Sequence, residues 1–543
     1  MIDTSTKAFL KSIKQKEGNP MRKHFWLITL FIVLTLLFTT SIVFAGTKPA
    51  EEKPTVMEKA EEMPAEKAPE VDLTVPITVL VTDPHIQVVD TWKPIWEAQT
   101  GGKIEVVLVP YATLEEKMWL EFRTKTGSFD IACVPVTWLG EVFGGGHAEN
   151  LEPYMEKYGY PGWDDVMPGV QRITKWMGKV MALPYDGDNH LTYYRKDALE
   201  VPKYQAQFKE KYGYMYQIPP ANWSEVRDIA EFFNKWDWDN DGEIEYGVAF
   251  IAQQNSQAMW SFMDVCAQYT TIAGTPSNYT SNIFFDTETM EPLCKSPGWV
   301  EAMTRIQELT KFAPPGLLGY GYSELRQAFV SGNSAIAFDW GDIGIQEQKP
   351  VEYGSKVKGL LGYGPLPGAK KYFDRKTNKW VEKQHTVNFL NFGGWVWIIP
   401  KAAPHKDAAY KFGVYMTNPE HSLLDVCGIH GYTGANPWRW SHFKTPSAWV
   451  RGGWGEESVK GYLKAISDIL QDPNAVPDLL IPGTPEYYTG AGSSLDVHLN
   501  AVLSGKISPQ EGCERIYKDW VRITEEKGFE QQKAFYRGSL GLK

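Results

Sequence analysis

Apolar runs separated by amphipathic stretches make up the first part of the folded chain. Strand-like runs occupy residues 75–82, 104–110 and 130–136, and helix-like stretches at 86–99 and 112–124 alternate with them. Strands that alternate with helices at this spacing are typical of βαβ units, in which helices cover both faces of a parallel sheet. The pattern therefore predicts an α/β fold.

The later part of the chain continues the same pattern. Strand-like runs recur at 334–340 and 393–399, each after a glycine-containing turn. Asn222, with a glutamate three residues later, predicts the start of one helix, and Ser508, with a proline and then a glutamate, predicts another. In open α/β sheets ligands bind beyond the carboxyl ends of the strands, so the residues there are candidates for a binding site.

The N-terminal segment predicts export. Residues 21–45 have a basic start, an apolar run over 25–44 and a small-residue end, which predicts a signal peptide cleaved after Ala45. We assign residues 1–20 to an upstream extension that is not translated. Residues 46–72 are rich in Lys, Glu, Pro and Ala, which predicts a disordered linker. The alternative keeps 25–44 as a membrane anchor, because about 20 apolar residues can span a bilayer.

The amino-acid composition limits the classes of ligand and partner that the chain is expected to bind. The 543 residues carry a net charge of −11, so the chain has no overall positive field that would attract nucleic acid. The 21 Trp and 27 Tyr are unusually many rigid rings with polar edges, which favours a ligand that has flat apolar faces. The five cysteines form no C-x-x-C pair, so we expect buried free thiols instead of a zinc or redox motif.

Eight segments in register resemble the extracytoplasmic solute-binding proteins of ABC importers, in their carbohydrate-binding group. They include WKPIWEAQTGGKIEVVLVPYATLEEK, KVMALPYDGDNHLTYYRKDALE, ELRQAFVSGNSAIAFDWG and GGWVWIIPKAAPHKDAAYKFGVYMTNPEH, and they run in family order over nearly all of 75–525. The resemblance implies a two-lobed periplasmic-binding-protein fold of type II, with the ligand cleft between lobes joined by hinge strands. It also implies a bound sugar and a membrane permease that recognises the closed form.

The resemblance also implies where the chain passes between lobes. Leu183–Arg195 looks like the first crossing and Phe389–Pro400 like the return. The N-terminal lobe would then comprise 73–187 plus 390–420, and the C-terminal lobe 188–389 plus 421–543.

Nine residues are candidates for ligand binding, since a sugar needs polar groups for its hydroxyls and rings for its C–H faces. They are the acids Asp83, Asp186 and Asp188, the rings Trp138, Trp340 and Trp395, and the loop residues Tyr432, Asn436 and Arg439. The alternatives are loop acids that cap neighbouring amides, ordinary core tryptophans, and a surface salt bridge for Arg439. By contrast, Trp92 and Trp96 share one face of the first helix, so we predict that they belong to the core.

A second motif predicts calcium binding. Asp237, Asp239, Asp241, Glu243 and Glu245, together with the glycine at 242, match the front of an EF-hand loop, whereas its twelfth position holds Val248 instead of glutamate. We expect one structural Ca²⁺ here. The alternative is an acidic turn without an ion.

The leading hypothesis is therefore a periplasmic or extracellular sugar receptor that binds without catalysis, needs no cofactor for function, acts as a monomer and serves an ABC permease. Two alternatives stay open. One is a membrane-tethered sugar sensor that keeps residues 25–44. The other is a secreted glycoside hydrolase in which Asp186 and Asp188, on an extended strand, would face one side about 6–7 Å apart, a spacing that overlaps the inverting range.

Overall fold

The computed structural model describes residues 71–272, 283–390, 394–472, 475–477, 484–488, 492–540 and 542. The predicted upstream extension, the signal peptide and nearly all of the linker lie outside the described residues. Across the described ranges, no helix has the length and apolarity needed to span a bilayer.

The strands of the described residues are numbered along the chain. They are β1 (Pro76–Val81), β2 (Lys103–Leu108), β3 (Ile131–Pro135), β4 (Lys175–Trp176), β5 (Lys179–Val180), β6 (Leu183–Pro184), β7 (Leu191–Arg195), β8 (Tyr246–Ala249), β9 (Ser334–Asp339), β10 (Leu361–Gly364), β11 (Tyr372–Asp374), β12 (Lys379–Val381), β13 (Phe389–Leu390), β14 (Trp395–Ile398) and β15 (Val476–Pro477).

The α-helices of the same residues are numbered in the same way. They are α1 (Ile86–Thr100), α2 (Tyr111–Thr124), α3 (Leu139–Gly144), α4 (Glu152–Tyr158), α5 (Pro168–Ile173), α6 (Lys196–Leu199), α7 (Pro202–Tyr212), α8 (Trp223–Phe232), α9 (Ala258–Thr270), α10 (Pro297–Leu309), α11 (Tyr322–Val330), α12 (Asp342–Gln348), α13 (Pro350–Tyr353), α14 (Lys406–Thr417), α15 (Pro419–Val426), α16 (Trp440–Lys444), α17 (Pro446–Arg451), α18 (Glu456–Leu470), α19 (Ser494–Leu503), α20 (Pro509–Lys527) and α21 (Phe529–Ser539).

The first sheet has the order β2-β1-β3-β14-β6. β1 pairs in parallel with β2 and β3, as the alternating pattern predicts, and β14 returns antiparallel between β3 and β6. All residues of β3 and β14 are buried, because helices or loops cover both faces of this sheet. We call the sheet and the helices packed on it the first lobe.

The second sheet has the order β10-β7-β9-β8. β7 pairs antiparallel with β10 and β9, whereas β8 lies parallel to β9. The helix α18 packs on β10, and α9, α10, α19 and α20 pack against one another in the same body, which we call the second lobe. The α/β class and the two-lobed arrangement are confirmed.

Two predicted crossings connect these sheets. The chain leaves the first sheet at β6 and enters the second at β7, within the predicted Leu183–Arg195 segment, and it returns to the first sheet at β14. Beyond the predicted end of the N-terminal lobe at 420, helix α15 still contacts the first lobe. The Trp92 indole N–H donates to both carboxylate oxygens of Asp425, at 3.1 and 3.0 Å.

The five cysteines are buried and free, as predicted from their spacing. Trp92 and Trp96 are each 4% exposed, which confirms that they belong to the core. The Trp92 ring also stacks on His421, with ring centroids 3.7 Å apart.

We predict that Trp92→Ala lowers the free energy of unfolding by about 3–5 kcal/mol, because it removes a buried ring and leaves Asp425 without that donor. The matched control is Ile95→Ala on the same helix, since Ile95 is 41% exposed. Chemical denaturation of both variants checks the prediction. Similar losses for the two variants would contradict it.

Candidate functional site

A cavity that encloses about 70 Å³ lies between the two lobes, at the strand ends that face each other. The first lobe contributes residues after β1 and at the start of β14, and the second contributes residues after β9 and on α11. The lining residues are Asp83, Pro84, His85, Tyr111, Asp188, Gln257, Tyr322, Arg326, Trp340, Asp342, Trp395, Tyr432 and Gly434.

The structure brings five of the nine predicted ligand-binding residues to the cavity wall: Asp83, Asp188, Trp340, Trp395 and Tyr432. Asp186, Asn436 and Trp138 lie directly behind the wall. The Trp138 ring stacks on Tyr111, with centroids 6.1 Å apart, so it supports a lining ring. Residues chosen for their positions at predicted strand ends thus come together at one cavity.

Arg439 lies outside the cavity, and the structure does not support its predicted contact with a ligand. Its side chain is fully buried, and its guanidinium donates to the carbonyls of Gly162 and Thr417 and to the hydroxyl of Tyr160. These partners stabilise the loop against the first lobe. Arg439 also pairs with Asp165, at 3.9 Å, but its own side chain is fully buried, so this ion pair is not the surface salt bridge of the alternative.

Asp186 and Asp188 form a buried acid pair at the first crossing. Burial raises the pKa of Asp186 to about 8, and burial together with the Asp186 carboxylate raises the pKa of Asp188 well above its ordinary value. Both carboxyl groups therefore favour the protonated form. They were expected about 6–7 Å apart on an extended strand, but the segment after β6 is irregular.

Asn436 holds this acid pair in place. Its backbone N–H donates to Asp186 Oδ1 at 2.7 Å, and its amide Nδ2 donates to Asp188 Oδ1 at 2.5 Å. Its own Oδ1 accepts a hydrogen bond from the Tyr462 hydroxyl at 2.9 Å. A Cβ at Gly341 would stand 1.7 Å from Asn436 Oδ1, so only glycine fits at that strand end. Asn436 thus orients Asp188 towards the cavity.

Arg326 organises the second-lobe wall, and sequence reasoning missed it. Its Nε donates to Asp339 at 2.6 Å and its Nη2 to Asp342 at 2.9 Å. Burial opposes the charge, but these two carboxylates raise the Arg326 pKa above its ordinary value. Its Nη1 also donates to the Tyr432 hydroxyl, which in turn donates to Asp342. The sequence does contain a signal for this residue. Arg326 lies on the apolar face of a helix, where a charged side chain needs buried partners of opposite charge.

Apart from Arg326 and Asp342, the lining residues that the prediction omitted are neutral. They are Pro84, His85, Tyr111, Gln257, Tyr322 and Gly434. Burial lowers the pKa of His85 to about 3, so its imidazole is neutral at physiological pH. Its ring lies 4.2 Å from that of Trp395, centroid to centroid. His85 and Gln257 therefore offer neutral polar groups beside the rings.

The acidic loop predicted to hold calcium lies apart from the cavity lining. One ligand atom from each of Asp237, Asp239, Asp241 and Glu245 lies within 4.8 Å of the others. Asp237 Oδ1 is buried without a hydrogen-bond partner. Burial and the three aspartates raise the pKa of Glu245 to about 7. Glu243 is exposed, and its backbone N–H donates to Asp241 Oδ1 at 2.9 Å.

Comparison with known proteins identifies relatives. Residues 84–422, more than half of the chain, match the family model of the bacterial extracellular solute-binding proteins. A mannitol-binding protein of Pseudomonas aeruginosa is 23% identical over 330 residues, 60% of this chain and 65% of its own length. A probable ABC transporter-binding protein of Deinococcus radiodurans is 25% identical over 283 residues, 50% and 58% of the two chains. The chain thus spans less than two thirds of either relative.

A solved structure shares the fold. An ABC transporter solute-binding protein of Agrobacterium vitis S4 with bound D-mannitol superposes with a TM-score of 0.61 at 19% identity, over 84% of this chain and 99% of that one. At this identity the likeness concerns the fold alone.

We predict that the stability of wild type decreases as pH rises from about 4 to about 8. The folded state keeps the Asp186 proton up to about pH 8, whereas an unfolded aspartate loses it near pH 4, so unfolding releases a proton between these values. Asp186→Asn removes this proton and should flatten the decrease. Denaturation curves over this range check it, with the exposed Asp90→Asn as control. Equal slopes for wild type and Asp186→Asn would contradict the prediction.

Proposed function

We propose, because the chain belongs to the bacterial extracellular solute-binding proteins, that it binds a compact neutral sugar or polyol and delivers it to the permease of an ABC importer. The observation that carries the proposal is the cavity between the lobes, whose wall combines the carboxyl groups of Asp83, Asp188 and Asp342 with several aromatic rings. The cavity encloses only about 70 Å³, which suits one small ligand better than a long oligosaccharide.

The chemistry of the wall suits polyhydroxylated ligands. Carboxyl groups and the Gln257 amide accept hydrogen bonds from hydroxyl groups, and the Trp340 and Trp395 rings cover C–H faces. Since both lobes contribute to the wall, a ligand gains all of its contacts only when the lobes are close together. Binding therefore shifts the hinge equilibrium towards the closed form, which a permease can recognise.

Binding without catalysis is part of the proposal. The two carboxyl groups of an inverting glycosidase stand about 6.5–9.5 Å apart so that a water fits between them, and those of a retaining enzyme about 5–5.5 Å apart. Of this pair only Asp188 lines the cavity, and Asp186 lies behind the cavity wall. A glycosidase needs two separated carboxyl groups at its substrate, and the raised pKa of Asp186 does not provide the second one.

The cellular setting follows from the same premise. A receptor of this family works outside the cytoplasm, so we propose a periplasmic or extracellular monomer exported by the N-terminal signal. Retention of residues 25–44 as an anchor is the alternative, and sequencing the N-terminus of the exported protein distinguishes the two. The mannitol-binding relative makes polyols the first ligands to test.

We predict that Trp340→Ala weakens ligand binding at least about tenfold, because it removes a ring from the cavity wall at a strand end. The control is Trp380→Ala, on the β11–β12 hairpin outside the cavity lining. Isothermal titration calorimetry with D-mannitol, ribitol and maltose measures the affinities. Comparable losses for both variants would mean that Trp340 is not in the binding site. Conversion of the ligand or release of reducing ends by wild type would overturn the receptor proposal.

A structural calcium ion in the acidic loop is a second proposal. The unpartnered buried oxygen of Asp237 and the mutual repulsion of four carboxylates are both relieved by a divalent cation. Asp239 also accepts a hydrogen bond from Arg195 at 2.9 Å, which leaves its other oxygen facing the loop. Because position 12 is Val248, affinity should be in the weak extracellular range of about 10⁻⁴–10⁻³ M.

We predict that 10 mM calcium, relative to chelator, raises the free energy of unfolding by about 1.4–2.7 kcal/mol, since the ion binds only the folded loop. Asp237→Asn should lose most of this increase, and the control Asp90→Asn should keep it. Ligand affinity should stay nearly unchanged in both conditions, because the loop is outside the cavity lining. Coincident melting curves of wild type with and without calcium would show that the loop is an ordinary turn.

A further inference from the structure

The C-terminal helix α21 is covalently attached to the second lobe. It follows α20, which packs on α10 and α19, and it keeps contacts to the same body. The Phe285 backbone N–H donates to the Tyr536 hydroxyl at 3.4 Å, and their rings lie 5.5 Å apart, centroid to centroid. Arg537 donates to the Thr287 carbonyl at 3.1 Å and pairs with Glu288. These contacts hold one face of the helix on the second lobe.

Other residues of α21 contact the first lobe. The Phe535 ring covers the end of α3 so closely that a Cβ at Gly144 would stand 2.5 Å from its Cε1. At Gly538, a Cβ would stand 3.0 Å from Trp176 Cζ2 and 3.3 Å from Met177 Sδ, in the turn between β4 and β5. Two separate first-lobe elements therefore pack on a helix of the second lobe.

These contacts lie on the cleft side of the first lobe. Helix α3 begins directly after Trp138, whose ring stacks on the cavity residue Tyr111. Charges of the two lobes also meet at this edge. Burial raises the pKa of Glu141, on α3, to about 7, the Glu115 carboxylate adds to the rise, and the ammonium of Lys527 at the end of α20 opposes it. Opening of the cleft at this edge would separate these groups.

We propose that α21 is an interlobe clasp, which stabilises the observed arrangement of the lobes before any ligand binds. Movement of the lobes about the crossings would carry α3 away from Phe535 and expose the apolar surface that the two now share, which disfavours the open form. The proposal goes beyond the proposed function, because it concerns the equilibrium between the lobes when no ligand is bound.

Two variants of the full-length protein test the clasp from opposite sides. Phe535→Ala removes the ring from the second-lobe helix, and Gly144→Ala places a methyl group against that ring from the first lobe. Gln531→Ala, exposed on the same helix, is the matched control. Small-angle X-ray scattering without ligand reports the separation of the lobes, and hydrogen exchange reports protection of residues 139–144.

The scattering curves of wild type and Gln531→Ala should match the curve calculated from the arrangement of the lobes described here. Phe535→Ala and Gly144→Ala should both increase the radius of gyration and speed exchange in 139–144 about tenfold. If Phe535→Ala fails to fold, Gly144→Ala decides. An open ligand-free wild type, or unchanged scattering in folded variants, would overturn the clasp. Since no ligand is present, this result is independent of whether the protein binds sugar.

Discussion

The packing around Asn436 is the constraint on which the cleft depends. Three separate stretches of chain meet there: the acid pair at 186–188, the end of β9 at Gly341, and the loop that carries Asn436. A Cβ at Gly187 would stand 2.3 Å from the carbonyl oxygen of Pro437, and one at Gly341 would overlap Asn436 itself. Glycine at both positions lets the backbones approach closely enough for Asn436 to bond both acids.

This close meeting connects ligand contact with movement of the lobes. Asp188 lies in the first crossing and also faces the cavity. Tyr432 faces the cavity too, and it bonds Arg326 and Asp342 of the second lobe. Under the proposed function, a ligand bonded to Asp188 would contact a segment that joins the lobes, so its contacts would differ between the open and closed forms without a separate relay.

Sequence reasoning located the fold and much of the wall because strand ends are readable from apolar runs. Asp83, Trp340 and Trp395 follow or begin such runs, and the carboxyl ends of parallel strands gather at one edge. The partners of Asn436 and Arg439 were less predictable, because Asp186 lies 250 residues from Asn436 in the sequence and Gly162 lies 277 from Arg439. Arg326 was missed for a different reason. A helical pattern shows which face of the helix is buried, but it does not show which buried acids pair with an arginine on that face.

The charges of the cleft bear on the proposed ligands. Arg326 is the only cationic side chain among those that line the described cavity, and Asp339, Asp342 and Tyr432 accept hydrogen bonds from all three of its nitrogens. Arg439, which could have held a charged sugar, is buried against the first lobe. A carboxylate on the ligand would thus meet the acids Asp83 and Asp342 without an unpaired cation beside them. Hydroxyl groups can donate to carboxyl oxygens, so the wall suits the proposed neutral sugars and polyols better than sugar acids.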